Sequence, residues 1–157
     1  MKKLFVFLIL LFISCSVSKD EAISLDIGDK IPNSAIDKNM YYITTSSQAE
    51  EVYSYEENNI TFDVMTDRKG YITFLKPTDN SFQTPCGIKV GDSLVKVQKI
   101  SQKKLKKMPG WGYFISLSHG WFARFEDNKY IKTEGRLSVN TKVVFLFKSK
   151  YHGSWYD

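Results

Sequence analysis

The side chains able to do covalent or metal chemistry are few. The chain holds two cysteines, Cys15 and Cys86, and two histidines, His119 and His152. A thiol attacks or ligates as thiolate, which requires a cationic neighbourhood or an adjacent histidine. Cys86, in QTPCGIKVG, lies far along the chain from either histidine, so we read it as a small apolar residue at the edge of a turn. In an oxidising compartment the alternative for it is an intermolecular disulfide. His119, in HGW, and His152, in HGSW, are the only nuclei for a metal or acid–base site. Each sits beside glycine, and a turn residue with one hydrogen bond is the simpler reading. Zinc wants three or four ligands, and HExxH, CxxC, GxSxG and a phosphate-cradling glycine loop are all missing from the sequence. No catalytic residue, metal or cofactor is therefore expected, and the chain is not expected to be an enzyme.

Cys15 raises a different question, because it stands at the exit of an apolar run. Lys2 and Lys3 make a positive start, residues 4–13 are ten apolar residues without a break, and Ser14-Cys15-Ser16 supplies small residues for cleavage. Ten helical residues reach about 15 Å, half of a ~30 Å hydrocarbon core, so the run reads as a secretion signal rather than a span. The segment LFISC, residues 11–15, resembles the lipobox of bacterial lipoproteins, with Phe12 where leucine is commonest. That resemblance implies cleavage between Ser14 and Cys15, a diacylglycerol thioether on Cys15 and an acylated new amino terminus. Two or three acyl chains, at ~0.8 kcal/mol per buried methylene, anchor durably where one does not. An ordinary leader cut after Ser18 is the other reading. In the lipoprotein family an Asp after the cysteine tends to retain the protein at the inner membrane. Here Ser16 follows, which favours the outer membrane. The expected organisation is a signal peptide over 1–14, a lipidated tether over 15–22 and a single domain over 23–157.

Charge excludes little beyond this. The whole chain carries +5; losing Lys2 and Lys3 leaves 20 basic against 17 acidic residues, or +3. Much of it is gathered at Lys99, Lys103, Lys104, Lys106 and Lys107, in KISQKKLKKMPG. Such a run can attract anionic lipid or an acidic partner, or simply be the solvated face and tail of a helix. A secreted, lipid-held protein would rarely meet nucleic acid, so none is expected as a partner.

Aromatics are generous, at 15% of the chain. Trp111, Tyr113, Phe114, Trp121, Phe122 and Phe125 form a series that could line a groove, although strand alternation sends about half of any such series into a core. Trp111, Tyr113, Trp121 and Trp155 are the candidates for contact with a protein partner, since Trp and Tyr carry much of the energy at interfaces.

These residues need elements to position them. ITFDVMT and GYITFLKP, residues 60–66 and 70–77, are β-branched and aromatic runs joined by Asp67-Arg68-Lys69-Gly70, a hairpin composition. MYYITT, 40–45, reads as strand; LDIGDKIP, 25–32, as short strand or turn; AEEVYSYEE, 49–57, as strand or short helix. Over 87–100 the period lengthens: Asp92 or Ser93 caps a helix carrying Leu94, Val97 and the pair Ile100-Ser101, which must stop by Met108 because Pro109 and Gly110 follow. Strands resume at 112–118 and 120–126, pivoting on His119-Gly120, and end with KVVFLFKSK, 142–150. DIGDKIP echoes KVGDSLV, a hint of an internal repeat of the turn.

The expectation is an α+β domain, a mostly antiparallel curved sheet of about six or seven strands packed with one main helix. Residues 87–97, with a glycine-apolar start and a capped short helix before a sheet, resemble the small outer-membrane assembly lipoproteins and the related motif of the β-lactamase inhibitory protein. The resemblance implies a binding scaffold rather than an enzyme. Three functions follow as expectations: a lipid-anchored envelope binding or accessory module, an immunity or inhibitor protein blocking a secreted enzyme or toxin, and, last, a hydrolase.

Overall fold

A computed structural model describes residues 23–43, 49–108, 112–126 and 137–151. Cys15, Trp111, His152 and Trp155 lie outside them. The strands are β1 (Ile36–Ile43), β2 (Ala49–Glu57), β3 (Ile60–Thr66), β4 (Ile72–Pro77), β5 (Lys106–Met108), β6 (Gly112–Ser116), β7 (Phe122–Phe125) and β8 (Val143–Ser149), with one helix, α1 (Leu94–Ser101), between β4 and β5. They form one sheet ordered β1-β2-β3-β4-β8-β7-β6-β5, antiparallel at every pairing.

Among the described residues the strands number eight, not six or seven. The extra one is β5, whose Lys106 and Lys107 sequence patterning leaves on the tail of the helix. The cause is a stop at Ser101: Gln102 turns left-handed (φ 54, ψ 22) and its N–H donates to the Gln98 carbonyl at 2.9 Å. The chain thereby leaves the helix axis early enough for Lys106–Met108 to pair with β6. At the other end Ser93 Oγ accepts from the Lys96 N–H at 3.4 Å, and Lys96 Nζ lies 2.8 Å from Asp92 Oδ1. Eight residues are too few for a helix to persist alone. Leu94 and Val97 hold it by burial, each worth about 1.5–3 kcal/mol, whereas Ile100, expected to extend the stripe, is 41% exposed.

Residues 49–57 are strand, and the hairpin of β3 and β4 forms as expected. The stretch 25–32 is a turn, and its echo at 89–95 has a structural counterpart. Gly28 N–H donates to the Ile72 carbonyl (2.9 Å) while Ile72 N–H donates to that of Asp29 (2.8 Å); Gly91 and Asp92 make the same two bonds with Val143 (2.9 and 2.8 Å). The likeness extends outward. Asp29 and Asp92 each accept, at Oδ2, the N–H three residues earlier (2.7 and 3.0 Å). Ile31 bonds Gly70 as Leu94 bonds Thr141 (3.0 and 2.8 Å). Both glycines have positive φ (93° and 86°), a region L-residues rarely enter, so the motif selects glycine there.

The register carries the correspondence across the sheet. Met40, Val52, Met65 and Phe74 stand opposite one another across β1–β4, as Lys106, Phe114, Arg124 and Phe145 do across β5–β8. The next rung runs Tyr41, Glu51, Thr66, Ile72 in one half and Lys107, Tyr113, Phe125, Val143 in the other. Both hairpins are also irregular at the same rung, between Met65 and Thr66 and between Arg124 and Phe125. The domain is thus two copies of one unit, a Gly-Asp turn clamping the start of the last strand of a four-strand meander, joined antiparallel at β4 and β8. Only the second copy carries a helix between its turn and its meander.

Both faces of the sheet bury side chains. The helix face holds Phe62, Val64, Leu75, Ile115, Phe125 and Leu146 under Leu94, Val97 and the incoming Leu25. The opposite face holds Val52, Met65, Phe74, Phe114, Phe122 and Phe147. There Phe147 stacks between Phe74 and Phe122, with centroids 5.5 and 5.3 Å away.

Candidate functional site

The residues named from the sequence do not converge. Tyr113, on β6, is half-buried against the helix-face core, with the Lys107 ammonium 5.7 Å from its ring. Trp121 is only 2% exposed: its ring lies 4.8 Å from that of Phe82 and 5.3 Å from Lys148 Nζ. It is a core residue and offers no ring face to a partner. Strand alternation explains the placement, since Phe122 takes the opposite face and Trp121 then follows Ala123 and Phe125 inward. Trp111, Trp155 and Cys15 lie outside the described residues.

Of the remaining chemistry-bearing groups, the fold carries Cys86 to the turn that holds His119. His119 is exposed in a single tight turn, Ser118–Gly120, with φ 56. Cys86 is half-buried, its sulfur against Ser118 Oγ. Among the described residues no three of His, Cys, Asp and Glu stand close enough to share a metal ion. No helix among them is long and apolar enough to cross a membrane.

Buried or bridged carboxylates instead tie strands together. Glu50 is 3% exposed and accepts from Thr73 Oγ1 and the Tyr151 hydroxyl, both at 2.8 Å. Asp63 bridges Lys38 at 2.8 Å and Lys76 at 3.1 Å. Burial alone would raise its carboxyl, but the two ammonium groups outweigh that and hold it below the ordinary value. Lys148, itself buried, reaches Asp26 at 3.0 Å and fixes the first turn to the central strand β8.

What stands apart is the first edge of the sheet. Three of the exposed large apolar side chains belong to β1: Ile36 at 69%, Met40 at 45% and Tyr41 at 67%. The helix-face side of the same ribbon is acidic and phenolic. Asp37 is paired with Tyr53 and Tyr41 with Glu51, which brings two carboxylates and two rings together. The Tyr53 hydroxyl donates to Glu51 Oε2 at 2.5 Å. That bond, then burial, then the charges of Glu51 and Asp37, push the phenol up to about 12. Patterning over 40–45 identifies a strand but not its position in the sheet. Whether a strand lies at an edge depends on pairing partners distant in the chain, so these residues carry no local signal of their role.

Compared with family models, with curated proteins and with solved structures, the chain matches none, so the reading of its function rests on this geometry and on the amino-terminal motif.

Proposed function

We propose that this chain is a lipid-anchored protein of the cell envelope, fixed to the outer membrane through Cys15, and that it acts there as a non-catalytic binding or accessory module with a protein as partner. The observation that carries the binding part is the edge strand β1, where Ile36, Met40 and Tyr41 stay exposed while the other large apolar side chains of the sheet are mostly drawn into two cores. Long edge strands with apolar side chains are templates for another chain unless something guards them. The anchor is supported by the LFISC motif.

Two measurements test the reading. Labelled palmitate fed to the producing organism should enter this polypeptide, and Cys15→Ser should move it from the membrane to the soluble fraction. Affinity capture from detergent-solubilised membranes should return a stoichiometric protein partner. An unlabelled polypeptide refutes the anchor, and capture that returns nothing above background refutes the binding role.

A further inference from the structure

The two units treat their outer edges in opposite ways. In the second unit the edge strand β5 has three residues, carries Lys106 and Lys107 at the rungs where β1 has Met40 and Tyr41, and is followed by Pro109. Short length, lysines and a nearby proline are the devices that keep an edge from being paired. In the first unit β1 runs eight residues with methionine and tyrosine at those rungs. The register shift between Asp37 and Met40, with Asn39 at φ 52, interrupts its first half and leaves residues 40–43 in regular pairing with β2.

We infer that β1 is an open docking edge that takes an extended segment of a partner protein carrying Lys or Arg at alternate positions. The inference rests on the binding role proposed above and names the site and chemistry of its partner. Alternate residues of an added strand share one face. On the helix-face side they would meet the carboxylates of Asp37 and Glu51 and the rings of Tyr41 and Tyr53. Among the described residues no lysine or arginine is in ion-pair distance of either carboxylate; the neighbouring Lys38 is turned to the other face, onto Asp63. Among the described residues those two negative charges therefore have no basic partner. The intervening residues of the added strand would lie with Ile36 and Met40, exposed apolar side chains to either side of the Lys38–Asp63 pair, a mixed surface that valine or threonine suits. A second copy of the same chain is a poorer occupant, because the lysines of its own short outer strand, Lys106 and Lys107, are adjacent rather than alternate.

The test uses the full mature protein in neutral detergent micelles and two fluorescent peptides, Thr-Lys-Val-Lys-Val-Lys-Thr and its Glu counterpart, followed by anisotropy. The lysine peptide should bind and weaken with added salt, as exposed charge pairs do, and the glutamate peptide should not. Glu51→Lys should weaken binding by about tenfold or more, and Tyr41→Ala by about fivefold. Lys106→Glu should leave it unchanged. Both Glu51 and Tyr41 are exposed, and Tyr41→Ala guards against a folding artefact in the charge reversal. Equal binding of the two peptides, undiminished binding by both variants, or no binding at millimolar concentration overturns the inference. Membrane capture separates this failure from that of the wider reading: a partner recovered equally well with wild type and with Tyr41→Ala/Glu51→Lys removes the docking edge and leaves the binding role standing.

Discussion

Truncating Phe147 to alanine tests whether the face opposite the helix is a true second core. Phe147 is 1% exposed, lies between the rings of Phe74 and Phe122, and meets Phe145 edge-on at 5.6 Å. Removing a fully buried phenylalanine costs about 3–5 kcal/mol, part transfer and part cavity. The upper half of that range applies here, because three ring contacts vanish together and aromatic pairs add about 0.5–1.5 kcal/mol each beyond area. A single domain has about 5–15 kcal/mol in total. With a urea slope of about 1–3 kcal/mol per molar, the unfolding midpoint should fall by about 2 M at unchanged slope. Phe145→Ala is the internal control. That ring is half-buried under the Arg124 guanidinium, 4.8 Å from its centroid, and its loss should cost about a third as much. If Phe147→Ala shifts the midpoint no further than Phe145→Ala, the rings are not packed as a core and the two-faced sheet is wrong.

Other consequences can be measured on the same protein. The folded carboxyl of Asp63 lies below its unfolded value, so its contribution is present above about pH 4 and is lost as pH falls through the folded value. Asp63→Asn should therefore show a smaller drop in urea midpoint between pH 7 and pH 2 than wild type, and equal drops would refute the bridge. The Tyr53 phenol, pushed up to about 12, should titrate above the ordinary tyrosine range by absorbance near 295 nm, and Glu51→Gln should return it towards about 10. Because unfolded Tyr53 ionises first, the phenol lowers stability between those two values and has no effect at pH 7. Ser93→Ala removes the acceptor for the Lys96 N–H and should cost about 0.5–1 kcal/mol by urea unfolding, with Ser93→Gly costing only a few tenths.

The hairpin, the capped helix and the last strand are visible in the chain because each is settled by neighbours in sequence. Asp67 to Gly70 is one such case: the Asp67 carboxylate accepts the N–H groups of Lys69 and Tyr71, and Gly70 supplies φ 74. The strand β5 is invisible for the complementary reason. Three residues with two lysines have neither length nor alternation, and only β6 makes them a strand. The aromatic series shows the same division. Its alternation is legible, but the burial of both parities is not: Trp121 and Phe122 go to opposite faces and each enters a core, because both faces of the sheet hold one. The exposed edge is illegible on similar grounds, since Met40 and Tyr41 are ordinary strand residues until the sheet order leaves them outermost.

The duplicated turn explains why the two halves differ where they do. Ile72 and Val143 open the strands that lead into the middle of the sheet and are 0% and 1% exposed, so their backbone groups have no water to bond. A Gly-Asp turn answers both needs at once with main-chain groups, the glycine N–H donating and the aspartate carbonyl accepting; losing either bond would leave a buried polar group unpaired at about 1–3 kcal/mol, and the positive φ at the glycine is what presents them. The centre of the molecule is constrained by this. At the rims no such penalty applies: one unit gains a helix and a lysine-guarded stub, the other an eight-residue strand with methionine and tyrosine exposed. A surface that differs between two otherwise equivalent positions, and that stability does not require, is where a binding function can be carried without disturbing the fold.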